Sequence, residues 1–192
     1  SDISDHLMTI FTQGLEAKPK SIVELGTRGG ESTFVLEKIA SILNSKMLCI
    51  DLEDCSSVLG KNTIFVKSDD IEFGKNFKQW AEKTNFPSQI DLLFIDTSHE
   101  YEHTKAEINT YFPLLSDGAT VIFHDTNVIT LFERLDGTMD YGQEDNARGV
   151  IKPIEEYLNL KLNEKKDFTE YKDNWLIKHW AISNGLTVMK KI

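Results

Sequence analysis

The stretch Ser21-Ile22-Val23-Glu24-Leu25-Gly26-Thr27-Arg28-Gly29-Gly30-Glu31-Ser32-Thr33-Phe34-Val35-Leu36 decides the fold. A short apolar run ends on a glycine-rich turn, Gly26 to Gly30, and passes into a helical pattern at Glu31. Strand, tight turn and helix in that order form the opening unit of an α/β sheet. Small residues in such a turn let the backbone approach a ligand closely. The first amides of the following helix point into the same space.

The carboxylate of Glu24, at the end of the strand, suits a cationic or hydroxyl-bearing ligand better than a pyrophosphate. That favours S-adenosylmethionine over NAD. The dinucleotide fingerprint Gly-x-Gly-x-x-Gly needs glycine where Arg28 stands, and no Walker loop is present. The pattern Glu-x-Gly-x-x-x-Gly (Glu24, Gly26, Gly30) resembles motif I of class I S-adenosylmethionine-dependent methyltransferases, with Arg28 departing from the glycine often found there. The resemblance implies that Glu24, Gly26, Thr27, Gly30 and Ser32 bind the cofactor. The plainer alternative is a glycine-rich turn with no ligand.

Outward from this unit, Ile3, Leu7, Ile10, Phe11 and Leu15 fall near helical spacing, which predicts an amphipathic helix over 3–15, broken at Lys18-Pro19-Lys20. Strands are expected at 22–25, 47–51, 63–67, 90–96 and 120–124, and helices at 32–43, 73–84 and 101–115. Asn184-Gly185 between apolar runs at 175–182 and 186–192 predicts a hairpin whose antiparallel strand lies beside the fifth strand. Phe168, Trp175 and Trp180 read as sheet-covering core. The expected architecture is α/β: a Rossmann-like, doubly wound, mostly parallel seven-stranded sheet with an antiparallel C-terminal hairpin strand and helices on both faces.

Open sheets of this kind bind ligands at the carboxyl ends of their strands. Those ends are acidic here: Glu24, Asp51, Asp96 and His124-Asp125, with Ser68-Asp69-Asp70 after the third strand. Asp51 is placed to accept both protons of a ribose diol, or alternatively to cap its own turn. Ser68 and Asp69 are placed to read an adenine amino group. Asp69 or Asp70 could equally cap the next segment.

The chemistry concentrates in Asp96-Thr97-Ser98-His99 and His124-Asp125-Thr126. Asp96, Asp125 and the His124 imidazole suit an octahedral divalent ion such as Mg²⁺ or Mn²⁺ that keeps waters for a substrate. Such an ion lowers the pKa of a bound hydroxyl, which could then attack the sulfonium methyl in line. His99 could be the general base, with an ordinary pKa near 6.5, or a helix N-terminal residue. Asp96, His99 and His124 are thus the catalytic candidates, and His103 reads as the solvated side of a helix. Asp96 with His99 and Tyr101, the following leucine-bearing segment, Gly118 and His124-Asp125-Thr126 resemble the second half of the cephalosporin hydroxylase and macrocin O-methyltransferase group, and more distantly catechol-type O-methyltransferases. This likeness spans roughly 21–125. It implies that an acid after the fourth strand and an acidic pair after the fifth hold a metal, mapping onto Asp96, His124 and Asp125, with His124 standing where an acid is usual. Without a metal, Asp96 would be a residue beside the methyl donor, and His124-Asp125 a pair shaping the loop.

A chain of 192 residues with net charge −10 is expected to be one domain, 1–192, with no nucleic-acid surface and a small-molecule acceptor. The start at Ser1 fits a processed start, a tag scar or a domain excised from a longer chain. Two cysteines without metal spacing, no signal pattern and no apolar run of spanning length suggest a reducing, cytoplasmic setting. A homo-oligomer is left open. The glycine-punctuated stretch 136–149 reads as a lid, with Tyr141 and Arg148 as acceptor contacts, or as a solvated loop. These readings together predict methyl transfer to a hydroxyl of a sugar, nucleotide-linked sugar or polyol, in surface-glycan or natural-product biosynthesis in bacteria. The alternatives are a metal-free N-methyltransferase, a non-catalytic S-adenosylmethionine-binding module and an NAD-dependent oxidoreductase.

Overall fold

A computed structural model describes residues 2–128, 132–133, 139–140 and 148–192. A 3-10 turn, Asp2–His6, leads into α1 (Leu7–Ala17), followed by β1 (Ser21–Leu25), α2 (Glu31–Leu43), β2 (Lys46–Asp51) and β3 (Thr63–Lys67). Next come α3 (Asp70–Lys75), α4 (Phe77–Thr84), β4 (Ile90–Ile95), α5 (Tyr101–Tyr111) and β5 (Leu115–His124). The two-residue strands β6 (Phe132–Glu133) and β7 (Met139–Asp140) pair with each other. The chain closes with α6 (Ile151–Leu158), β8 (Phe168–Lys172), β9 (Trp175–Trp180) and β10 (Leu186–Lys191).

The main sheet has eight strands in the order β3-β2-β1-β4-β5-β10-β9-β8. The first five are parallel, and the last three run antiparallel. The expected hairpin is present, with β10 beside β5. The eighth strand, β8, was not expected, because Phe168-Thr169-Glu170-Tyr171-Lys172 is a mostly exposed edge with little apolar content to announce it.

Both faces of the sheet are covered, and the period of two along each strand divides the core. Val23, Leu25, Leu48, Ile50, Leu93 and Ile95 join α3 to α6 in one apolar cluster. Ile22, Met47, Cys49, Leu92 and Phe94 join α1 and α2 in the other. Glu24 falls on the α2 side of that alternation, which decides its role below. Both cysteines are buried and free.

The helix expected over 3–15 opens as the 3-10 turn and is α-helical only from Leu7 to Ala17, and three further boundaries differ from expectation. The helix expected over 73–84 is two helices broken at Asn76, whose side chain donates to the Glu72 carbonyl, while Asp69 caps the first by accepting from the Glu72 amide. The helix expected to run to 115 ends at Tyr111, where Pro113 enforces a 3-10 turn. Strand β5 then starts at Leu115, earlier than expected, with an irregularity in its pairing to β4. Among the described residues no helix is long and apolar enough to cross a membrane.

Candidate active site

Strand order reverses between β1 and β4, and the loops leaving their carboxyl ends meet there. The Asp96 amide donates to the Leu25 carbonyl, and the Gly26 amide to that of Ile50. Gly26 has φ +84°, and a Cβ on it would collide with the Asp96 carbonyl. Gly30 has φ +80°, with Val58 where its Cβ would be. Both glycines are therefore demanded by the protein's own backbone, before any ligand is considered.

Several residues expected to touch the cofactor are engaged within the protein. Glu24 is fully buried, accepting from Ser32 Oγ and Thr33 Oγ1 at 2.7 Å each and from Cys49 Sγ at 3.0 Å. Burial pushes its pKa up to about 7, against the pull of those donors. Glu24 and Ser32 thus act beneath the loop, fastening the start of α2 to β1. Asp51 holds the loop from above: its Oδ2 accepts from the Thr27 and Arg28 amides at 2.8 and 3.0 Å, and its Oδ1 from the Glu53 amide at 2.9 Å. Thr27 is buried, and its hydroxyl has no partner among the described residues. Ser68 donates its amide to the Asp51 carbonyl and its hydroxyl to the Asp69 carbonyl, and Asp69 is the cap of α3.

The ends of β4 and β5 bring Asp96, His99, His124 and Asp125 together. His99 Nε2 lies 2.8 Å from Asp125 Oδ2 and 3.1 Å from Asp96 Oδ1. His124 Nδ1 lies 2.9 Å from the same Asp125 oxygen and 3.5 Å from the same Asp96 oxygen. His99 and Asp125 both have positive φ, 59° and 55°, so the chain turns sharply at each to aim the side chains inward. Burial alone would lower both histidines, but the two aspartates override it, holding His99 at about 10 and His124 at about 11. Burial would likewise raise the aspartates, and the imidazolium charges hold both below the usual carboxylate range. His99 is therefore an imidazolium at neutral pH, unlike the near-6.5 base expected from sequence.

One ligand atom each from Asp96, His99 and Asp125 lies within 4.8 Å of the others, a donor set of two carboxylates and one imidazole that fits a divalent cation. His124 makes a comparable group with Asp2 and Asp125. Its Nε2 is buried without a partner among the described residues, and its ring meets that of buried His6 edge-on at 5.5 Å.

Two acceptor contacts were expected. Tyr141 lies outside the described residues. The Arg148 guanidinium is instead held by Glu155 and Glu164 at 2.9–3.1 Å, clamping the start of α6 to the segment before β8. His103, expected on a solvated face, packs against Asp70 and Glu107. The His103-x-x-x-Glu107 spacing on one helix face was the signal for that group.

A family described as "Methyltransferase domain" matches residues 23–126. An uncharacterized protein of Acanthamoeba polyphaga mimivirus is 25% identical over 129 residues, covering 62% of this chain; the chain spans 58% of that relative's length. Among solved structures, the O-methyltransferase TomG from Streptomyces achromogenes, involved in tomaymycin synthesis and bound to S-adenosylmethionine, superposes with TM-score 0.68 at 13% identity, over 97% of this chain and 79% of that one. MycE methyltransferase from the mycinamycin biosynthetic pathway, in complex with Mg, S-adenosylhomocysteine and mycinamycin VI, gives 0.60 at 17% identity, over 98% of this chain and 48% of that one.

Proposed function

This chain belongs to the methyltransferase domain family, and we propose that it transfers the sulfonium methyl group of S-adenosylmethionine to a hydroxyl oxygen of a small acceptor, a sugar, nucleotide-linked sugar or polyol. The observation that carries the reading is the convergence of Asp96, His99 and Asp125 at the ends of β4 and β5, next to the turn that Gly26 shapes. Solved neighbours of the same fold that bind S-adenosylmethionine or its product lend support, as does one with magnesium and a natural product.

In the reaction the methyl carbon leaves sulfur and bonds to the acceptor oxygen, and the hydroxyl proton must leave that oxygen. The Gly26 turn and the Asp96 loop would hold the donor, with Asp51, Ser68 and Asp69 on the nucleoside side. A Mg²⁺ or Mn²⁺ ion held by Asp96 and Asp125, with His99 or His124 as a further ligand, would supply Lewis acidity that lowers the pKa of the acceptor hydroxyl. His99 keeps its proton because the two aspartates face it. Once those carboxylates are engaged elsewhere, its pKa falls back toward the range of a general base. A metal-free variant is favoured by one observation: two imidazoliums and two carboxylates already balance in charge.

Calorimetric titration of Mn²⁺, and separately Mg²⁺, into metal-stripped protein saturated with S-adenosylhomocysteine separates the two, with Asp125→Asn as control. The metal-assisted reading expects saturable binding that the variant loses. An identical isotherm in the variant, or no binding, moves the chemistry to the histidines alone.

A further inference from the structure

A second cluster stands apart from the one above. Asp70 opens α3, and His103 and Glu107 lie one turn apart on α5, the helix packed against it. His103 Nε2 is 3.2 Å from both Asp70 oxygens and 3.7 Å from Glu107 Oε1. One ligand atom from each of the three lies within 4.8 Å of the others. Glu107 is completely buried; Oε1 accepts from Thr97 Oγ1 at 2.7 Å, and Oε2 has no partner among the described residues.

Charge governs the protonation of this arrangement. The Asp70 and Glu107 carboxyls are within hydrogen-bonding reach of each other, and the cationic group that faces both is His103. One imidazolium against two ionised buried carboxylates would leave a net negative charge in a low-dielectric site, which is costly unless one carboxyl keeps its proton. Burial, then the Asp70 charge, accordingly push the Glu107 pKa well above the ordinary range.

We propose that Asp70, His103 and Glu107 form a structural binding site for a divalent transition ion of the zinc type, which ties α3 and the loop after β4 to α5. Binding would release the His103 and Glu107 protons to solvent, after which neutral imidazole and two carboxylates balance the charge of a divalent ion and the buried Glu107 Oε2 gains a partner. An imidazole ligand together with the complete burial of Glu107, which leaves little room for the waters a magnesium ion keeps, favours zinc-like ions here. The Thr97 hydroxyl orients Glu107 from behind, as outer-sphere donors do in metal sites. Asp70 follows Ser68-Asp69, and Thr97 follows Asp96, so the ion would stiffen the flank of the donor site without touching it. The inference is independent of the methyltransferase reading.

The test is calorimetric titration of Zn²⁺ into metal-stripped Asp125→Asn protein, in which the other cluster is disabled. Asp96→Asn combined with His124→Gln is the alternative background should that variant fail to fold by circular dichroism. One saturable site is expected, with a rise in Tm, and both effects fall by roughly tenfold in affinity or more when His103→Ala or Glu107→Gln is added. His103 is partly exposed and Glu107→Gln is isosteric, so both variants should fold. No saturable Zn²⁺ binding, or binding undiminished by either added substitution, overturns the proposal and leaves a carboxyl pair that shares a proton.

Discussion

At His99 the same two aspartates set position, charge and pH response. Its pKa of about 10 lies above the ordinary 6.5, so the stability its ion pairs contribute is complete below pH 6.5 and is lost as pH rises through about 10. Asp96 and Asp125 have lowered values, so their contribution is present above the ordinary 3.8 and is lost as pH falls below it. In the metal-free protein this cluster should therefore contribute most to stability between about pH 4 and 6.5. Asp125→Asn leaves both imidazoles short of their nearest carboxylate. It should cost about 3 kcal/mol near pH 6, and less near pH 10, where His99 has lost about half of its proton while His124 still holds its own. Thermal unfolding at the two pH values checks this, and an equal loss at both would show that Asp125 acts by packing alone. Sequence placed Asp96, His99, His124 and Asp125 near one another because they end adjacent strands. It could not give the protonation states, since the His99 to Asp125 contact is made through space between separate loops.

The turn from β1 to α2 is where sequence and structure agree most closely on form and differ on cause. The glycines announce a tight turn, but Gly26 is small because the Asp96 carbonyl occupies the place of its Cβ. Gly26→Ala adds a left-handed conformation, worth about 1–2 kcal/mol, to a backbone collision that must push β1 and β4 apart at their ends. We expect a loss of about 2 kcal/mol or more in stability together with weakened S-adenosylmethionine binding. Denaturant unfolding and calorimetry measure the two, and a variant of full stability and full affinity would contradict the close approach. The acids around this turn show why burial is hard to read from one dimension. Glu24 and Asp51 were legible as strand-end carboxylates. Their engagement by Ser32, Thr33 and the Thr27 and Arg28 amides depends on which face of β1 meets α2 and on how the loop folds back.

Across the whole molecule, the alternation of apolar runs with helical patterns was sufficient for the parallel half of the sheet, and Asn184-Gly185 for the antiparallel hairpin. The edge strand β8 escaped because its residues are mostly exposed, and the Asp70-His103-Glu107 group because α3 and α5 are joined only by tertiary packing. Arg148 was read as an acceptor contact, but the carboxylates of Glu155 and Glu164 hold it. Net charge of −10 suits a cationic sulfonium donor better than a polyanion. Binding of S-adenosylmethionine by this sheet for methyl transfer is tested by calorimetric titration of that compound into the purified protein, with NAD as competitor. Saturable binding at one site per chain is expected, displaced by S-adenosylhomocysteine and indifferent to NAD. Absence of saturable binding, or displacement by NAD, would contradict it.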